Sequence, residues 1–192
     1  MATSGNRSVR HLWVLRHGKA APEAPWGGGD EERPLTARGR RDARALGARL
    51  AGERPVLGLG GVRPPELAVC SAAVRTRQTA DLVAEAMGGR LPVDAYQALY
   101  GADPDLVLRY VREIDEGVRS ALLVGHNPTV FEVVWQLLAV PADGGDPTTD
   151  RAVLEANGFP TCALAVLALE VGAWEDVVHG CADLAGAFKP PY

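Results

Sequence analysis

The sequence predicts an α/β fold, a three-layer α/β/α sandwich whose mostly parallel central sheet ends in a C-terminal antiparallel hairpin. The first observation is a series of short apolar runs without polar alternation, which is typical of strands buried on both faces of a sheet. The second is that segments with helical apolar spacing follow these runs, since alternating strands and helices favour a parallel sheet with helices on both faces. The third is a pair of strand-like segments near the C-terminal end with no helix between them, which indicates a hairpin.

The composition is that of a globular protein. The chain has 192 residues, 47% of them hydrophobic and 23% charged, which is ordinary for a domain of this size and enough to bury a core. We therefore expect a single domain over residues 1–192, with residues 1–10 flexible. We expect no membrane partner, because the longest apolar run, 162–169, is too short to span a bilayer.

Charge and cysteine content indicate which partners and which cellular compartment to expect. The net charge of -4 argues against nucleic acid as a partner, so any anion site must be a local cluster of cations. Cys70, Cys162 and Cys181 are odd in number and far apart, which fits neither a disulfide framework nor a zinc knuckle. Residues 1–10 lack the apolar stretch of a signal peptide. These features favour a reducing cytoplasm.

The first strand ends in a cluster of polar residues. The apolar run at 11–15 stops abruptly at Arg16, His17 and Gly18. Residues 20–33 follow, rich in Pro, Gly and acidic side chains without periodicity, and are predicted as a loop.

Helix starts and stops can be placed from capping chemistry. Thr36 is the expected N-cap of a helix that runs to about Arg54. A second buried strand is predicted at 66–71, and the helix that follows it is stopped by the glycines at 88–89.

The middle of the chain repeats this pattern. A short third strand is predicted at 91–93, and Asp103 and Pro104 have the N-cap and first-turn chemistry of a third helix. A fourth buried strand is predicted at Ser120–Gly125.

The last strand-to-helix junction carries a second histidine. His126 follows the fourth strand directly, with Asn127 as the expected N-cap and Pro128 as the first residue of the next helix. Residues 141–160 are predicted as a loop with a helical turn at 151–156.

The C-terminal hairpin is predicted from two strand-like segments. They lie at 161–170 and 174–178 and are separated by Val171-Gly-Ala.

Three strand ends carry residues suited to phosphate chemistry. Right-handed crossovers bring the carboxyl ends of parallel strands to one edge of the sheet, where ligands bind. Arg16 and His17 follow the first strand, Arg75 the second and His126 the fourth. Guanidiniums match phosphate oxygens in pairs, and a neutral imidazole can attack phosphorus in line. Taken alone, Arg-His-Gly is equally consistent with a solvated turn after a core strand.

Four motifs together resemble the histidine phosphatase superfamily, in its small SixA-like phosphohistidine phosphatase branch. They are Arg16-His17-Gly18, the segment 33–36, the segment 71–79, and Gly125-His126-Asn127-Pro128, in this order. The resemblance covers the chain from Leu12 to about Leu138.

The resemblance implies a role for five side chains. His17 would be the nucleophile that becomes phosphorylated, and Arg16, Arg33 and Arg75 would hold the phosphoryl oxygens. His126 would donate a hydrogen bond to an equatorial oxygen as charge develops.

Further expectations concern the substrate and its surroundings. Gly18, Ser71 and Asn127 would contribute to substrate binding. No metal or cofactor is implied, because the protein itself supplies the cations. The substrate would be a protein phosphohistidine or a small phosphorylated molecule. The pattern favours no particular oligomeric state.

One departure from the superfamily concerns the general acid. Larger members have a Glu or Asp after the third strand, where this chain reads Tyr96-Gln-Ala-Leu-Tyr-Gly101. Asp103 is the nearest candidate acid, although its position before Pro104 favours the role of N-cap.

Three other functions stay open. A small-molecule phosphomonoesterase is one. A mutase-like phosphotransferase is another, and the compact length and the missing acid count against it. A non-catalytic phosphate-binding scaffold would need the arginines but no in-line nucleophile, so the presence of both His17 and His126 counts against that function.

Overall fold

A computed structural model of the protein describes residues 9–52, 59–139, 151–152, 154–155 and 158–192. In that part of the chain one sheet is formed by six strands: β1 (Arg10–Arg16), β2 (Leu67–Ser71), β3 (Val93–Tyr96), β4 (Ser120–Gly125), β5 (Leu164–Leu169) and β6 (Ala182–Phe188). Their order is β3-β2-β4-β1-β5-β6. Strands β1 to β4 are parallel to one another. Strand β5 runs antiparallel to β1, and β6 runs antiparallel to β5. The predicted mixed sheet with a C-terminal antiparallel pair is confirmed.

Helices cover both faces of this sheet. They are α1 (Ala37–Gly52), α2 (Val74–Ala86), α3 (Pro104–Arg112) and α4 (Thr129–Leu137). Within β1, Leu12 and Val14 pack in the core shared with α3 and α4, whereas Trp13 and Leu15 pack in the core shared with α1 and α2. All four side chains are at most 1% exposed. A strand buried on both sides explains why its sequence shows no polar alternation.

Two helix starts are confirmed by their caps. The Thr36 hydroxyl accepts a hydrogen bond from Gly39 N at 3.0 Å, and the Asp103 carboxylate accepts one from Leu106 N at 2.8 Å. Each bond satisfies a backbone donor that has no partner within the first turn of its helix. Capping typically stabilises a helix by about 1 kcal/mol.

The predicted start of α4 is wrong by one residue. Pro128, not Asn127, is the N-cap, and the helix begins at Thr129. The Asn127 side chain is engaged elsewhere, since its amide donates to Phe159 O at 2.8 Å. Asn127 therefore makes a tertiary hydrogen bond instead of capping the helix.

The third strand lies later than predicted. It spans Val93–Tyr96 instead of 91–93 because it is aligned by β2, with Ala68 opposite Val93 and Ser71 opposite Tyr96. Pro92 precedes the strand and accepts a hydrogen bond from Ala68 N through its carbonyl. A proline has no N–H to donate to a ladder, which suits it to this flanking position.

The second strand of the hairpin is Ala182–Phe188, not 174–178. Trp174 is fully buried, but its role is to cover the amino end of the sheet. Its indole donates to Val118 O at 2.7 Å, and the Arg10 guanidinium lies 5.4 Å from its ring centroid. Arg10 itself is 1% exposed and begins β1, so the expected flexible segment does not extend to residue 10.

Some predictions fall partly outside the described residues. These include the end of the first helix near Arg54, the segment 1–8 and most of the loop 141–160. Within the predicted helical turn at 151–156, residues 151–152 and 154–155 are helical. The three cysteines are free thiols. No helix in the described ranges is long and apolar enough to cross a membrane.

Candidate functional site

Two histidines face each other at the carboxyl edge of the sheet. β1 and β4 are neighbours, so His17 and His126 leave the sheet side by side, with ring centroids 5.1 Å apart. A backbone hydrogen bond from His17 N to Gly125 O at 3.1 Å extends the strand pairing to the site. The predicted convergence of these strand ends thus places the two imidazoles next to each other.

The hydrogen bond of the His17 ring determines which nitrogen can react. Nδ1 lies 2.7 Å from Gly18 O. Because a carbonyl only accepts, Nδ1 must carry the proton, which leaves a lone pair on Nε2. Burial, together with the guanidiniums of Arg75, Arg16 and Arg33, lowers the pKa of His17 to about 4. His17 is therefore neutral at neutral pH, as a nucleophile must be.

His126 is also held neutral. Its pKa is lowered to about 3, chiefly by burial and then by the neighbouring His17. Its Nε2 is buried and has no hydrogen-bond partner among the described residues. The ring of Tyr100 meets it edge-on, with centroids 5.5 Å apart. An unpartnered, buried ring nitrogen beside His17 is available to a bound group.

The lowered pKa of His17 predicts a pH dependence. The neutral imidazole should persist as the pH falls through 6.5, the value of an unperturbed histidine, and should be lost only near pH 4. Diethyl pyrocarbonate acylates the neutral ring, so the acylation rate at His17, followed by peptide mass spectrometry, should fall to half near pH 4. An unstructured histidine peptide serves as the control. A half-point near 6.5 at His17 would contradict the buried, neutral imidazole.

A single backbone carbonyl fixes two side chains beside the histidines. Phe159 O accepts one hydrogen bond from Arg16 Nη1 and one from Asn127 Nδ2, both at 2.8 Å. Arg16 Nε and Asn127 Oδ1 are buried and have no partner within the described part of the chain. Phe159 lies in the segment that was predicted only as a loop, so its role was missed.

The second strand end supplies Arg75, as predicted, in the first turn of α2. Its side chain is 6% exposed, although Arg is rarely buried without partners. Both terminal nitrogens donate to Asp30: Nη1 to the backbone oxygen at 2.6 Å and Nη2 to the carboxylate at 2.9 Å. Arg33 also pairs with this carboxylate and donates through Nε to Ala21 O at 2.6 Å.

Asp30 is therefore the centre of a cluster that the sequence did not reveal. The Tyr100 hydroxyl donates to Asp30 Oδ2 at 2.6 Å. This bond, together with the hydrogen bonds from Arg33 and Arg75, holds the pKa of the Asp30 carboxyl far below its usual range. The residue lies in a short 3-10 turn, 30–32, within the predicted loop. The only local indication of this cluster in the sequence was that Asp30 lies three residues before Arg33.

The segment 71–79 anchors two of the other three motifs, 16–18 and 33–36. The Gln78 side chain accepts a hydrogen bond from Leu35 N at 2.8 Å, and the Thr79 hydroxyl accepts one from Gly18 N at 3.0 Å. Thr79 donates in turn to Arg75 O at 2.6 Å. One helix thus carries Arg75 and also fixes the backbone next to His17.

Gly18 is closely packed at the end of β1. A Cβ at this position would lie 3.0 Å from Gly39 O and 3.2 Å from Cys162 Sγ. Cys162 N donates to the carbonyls of Arg16 and His17, at 3.1 and 3.2 Å, and does so from a left-handed conformation with φ of 64°. Such a φ is strained for a side-chain-bearing residue. Cys162 on one side and the Thr79 hydroxyl on the other hold the backbone around His17.

Two predicted site residues have structural contacts. Ser71 is buried, and its hydroxyl accepts a hydrogen bond from Ala73 N at 3.3 Å. Asp103 is exposed at the start of α3, where its carboxylate serves as the cap. A part in substrate binding for Ser71, Gly18 and Asn127 stays a prediction.

A cavity of about 200 Å³ opens beside His126, between the amino ends of α3 and α4. Its walls are mostly apolar and include Leu99, Val107 and Val130, with His126 and Asn127 on its polar side. The cavity therefore places an apolar surface next to the imidazole pair.

The donor set of the site suits a tetrahedral oxyanion. Within the described ranges, no group of three or more His, Cys, Asp or Glu side chains has the arrangement of a metal site. The charged groups around the two neutral imidazoles are the guanidiniums of Arg16, Arg33 and Arg75 and the single carboxylate of Asp30. Three positive charges and one negative charge give the site a net charge of +2, which is equal in size and opposite in sign to that of a phosphoryl dianion.

Comparisons with known proteins agree with this geometry. Residues 12–103 match the family model of the histidine phosphatase superfamily (branch 1). An uncharacterized protein of Mycobacterium tuberculosis is 34% identical over 178 residues, which are 92% of this chain and 99% of the relative.

Two solved structures are similar over nearly their whole length. A candidate phosphohistidine phosphatase SixA from Nakamurella multipartitia is 31% identical with a TM-score of 0.73, over 96% of this chain and 98% of that one. A protein histidine phosphatase SixA complexed with tungstate is 25% identical with a TM-score of 0.67, over 94% and 97% of the two chains.

Proposed function

This chain belongs to the histidine phosphatase superfamily, and we propose that it removes phosphoryl groups from protein phosphohistidine through a covalent intermediate on His17. The family and the similar structures support phosphatase activity. The observation that carries the proposal is the His17 ring, neutral and with its proton fixed on Nδ1, placed among three guanidiniums and beside a second neutral imidazole.

The first step is an in-line displacement at phosphorus. The lone pair of His17 Nε2 forms a new P–N bond while the P–N bond of the substrate breaks, and the departing imidazole nitrogen takes a proton from solvent. The His17 ring keeps its Nδ1 proton and becomes positively charged, and Gly18 O stabilises that charge through the 2.7 Å hydrogen bond. The carbonyl thus stabilises the intermediate more than the free imidazole.

The second step regenerates the enzyme. Water attacks the phosphorus of the intermediate, orthophosphate leaves, and the P–N electron pair returns to His17 Nε2. The charged ring is a good leaving group, because it departs as a neutral imidazole. In both steps Arg16, Arg33 and Arg75 bind the phosphoryl oxygens, and His126 donates to an oxygen on which charge develops.

The carboxyl groups near the site favour a phosphohistidine substrate. Asp103 is engaged as the cap of α3, and Asp30 is held ionised, so neither is poised to give a proton to a leaving group. Expelling an alkoxide without a proton donor is slow, since water, a comparable leaving group, has a pKa of about 15.7. An imidazole, whose conjugate acid has a pKa of about 6.5, leaves far more readily.

The test is the dependence of kcat/KM on the leaving group. We expect kcat/KM to fall steeply from a phosphohistidine peptide and p-nitrophenyl phosphate to alkyl phosphates as the leaving-group pKa rises. We also expect Asp103→Asn to change phosphohistidine turnover less than about threefold, as for a surface position that takes no part in the chemistry.

The other functions give different results in the same assay. Efficient hydrolysis of an alkyl or sugar phosphate, lost in Asp103→Asn, would make Asp103 the general acid and the protein a phosphomonoesterase. Transfer of the phosphoryl group to a second substrate in preference to its release would indicate a mutase-like enzyme. Orthophosphate binding without any turnover would indicate a scaffold.

A further inference from the structure

Asp30 contacts three different groups of the site at once. Its carboxylate pairs with Arg33, lies 2.9 Å from Arg75 Nη2 and accepts the Tyr100 hydroxyl at 2.6 Å, and its backbone oxygen accepts from Arg75 Nη1 at 2.6 Å. The Asp30 side chain is itself 46% exposed. Because the Asp30 side chain is exposed, its contacts add little to the packing of the core. Their effect is to hold the side chains that donate to it.

The contacts leave the guanidiniums free to bind a ligand. Arg75 has five N–H donors, of which one on Nη1 and one on Nη2 are used by Asp30. Arg33 uses Nε for Ala21 O and one N–H of Nη1 for Asp30. Each guanidinium is thus held along one edge, while its other N–H groups are free to donate to phosphoryl oxygens. A free arginine side chain would have to lose rotamer freedom on binding instead.

Aromatic contacts connect Arg75 with the second imidazole, that of His126. The Arg75 guanidinium lies 5.7 Å from the Tyr100 ring centroid, and that ring meets His126 edge-on. The Tyr100 hydroxyl is fixed by Asp30. One carboxylate therefore connects both arginines with the tyrosine that packs on His126.

We propose that Asp30 is a positioning residue, which aligns the Arg33 and Arg75 guanidiniums and the Tyr100 ring before substrate arrives. The inference rests on the proposed function, because the aligned groups are those assigned to the phosphoryl oxygens. Preorganised donors need no reorganisation as charge develops on the phosphoryl group, and this is the source of their catalytic effect.

The test is a double-mutant cycle between Asp30 and Arg75. Asp30→Asn keeps the shape of the side chain but replaces an acceptor oxygen by a donor. We expect it to lower kcat for p-nitrophenyl phosphate about 10- to 100-fold in the wild type, as misplaced groups do. In the Arg75→Ala background the same change should cost several-fold less than in the wild type, since residues that act through each other are not additive. The loss that remains is the part that acts through Arg33 and Tyr100.

The matched control is Glu31→Gln, which removes the same charge one residue away, where the side chain accepts a hydrogen bond from Gln97. Glu31→Gln should leave kcat within about twofold, as for other surface changes. Equal melting temperatures of the two variants would establish that both fold. Equal losses in the two variants would make the effect one of charge and overturn the proposal.

Calorimetry with orthophosphate separates this inference from the proposed function. Orthophosphate should bind Asp30→Asn about tenfold more weakly than wild type, the shift expected when one preorganising hydrogen-bond partner is lost. Tighter binding would make Asp30 an internal competitor of the phosphoryl group, and additive losses in the cycle would mean that it does not act through Arg75. Either result overturns the positioning role. A wild type that binds orthophosphate but turns over no substrate would overturn the proposed function instead.

Discussion

Replacing His17 by alanine should abolish the phosphoenzyme and lower turnover by about 10⁴-fold or more, the loss typical of a removed nucleophile. The pocket would keep its guanidiniums and could still bind phosphate, but no lone pair would face the phosphorus. The measurement is a denaturing quench in alkaline detergent after mixing with labelled substrate, followed by quantification of protein-bound phosphate before and after acid treatment. In the wild type the label should be acid-labile, as expected of a P–N bond.

The control for His17→Ala is His179→Ala, which removes an exposed histidine in a turn before β6. Turnover and labelling of this variant should match the wild type. Labelling that survives in His17→Ala would place the covalent intermediate on another residue and refute the assigned nucleophile.

The second large effect concerns Arg75. Arg75 is almost fully buried at the start of α2. Removing one preorganised donor of this kind typically costs about 10² to 10³ in turnover. We expect a loss of that order in Arg75→Ala, mainly in kcat, because in the proposed mechanism the guanidinium stabilises charge that develops during phosphoryl transfer.

Arg77 offers a matched comparison for Arg75. It lies two residues further along the same helix, where its side chain is exposed. Arg77→Ala changes the net charge and the helix propensity in the same way, so its turnover should stay within about twofold of the wild type. Near-native turnover in Arg75→Ala would mean that the phosphoryl pocket lies elsewhere.

The sequence predicted those parts of the site that follow buried strands. Arg16, His17 and His126 come directly after apolar runs, and such runs end at the edge where ligands bind. Arg75 could be placed in the same way, because its helix begins soon after β2. For these residues, chain order and the rules of parallel sheets were sufficient.

Other parts of the site depend on contacts that no local pattern encodes. Asp30 and Tyr100 lie in or beside short 3-10 turns, and Phe159 lies in a segment without periodicity. Their roles come from side chains and carbonyls that meet across the fold. For the same reason Trp174, which reads as part of a strand, instead covers the amino end of the sheet through Arg10 and Val118.

The position of β1 between β4 and β5 has a consequence for how the protein is made. β1, which leads directly into His17, comes early in the sequence, but both of its partner strands come from the second half. Pairs so distant in sequence form slowly, because the loop between them must close before any contact is gained. During synthesis His17 therefore leaves the ribosome well before β5 can hold it. Activity should consequently be among the last properties to appear in refolding, after helical structure has formed.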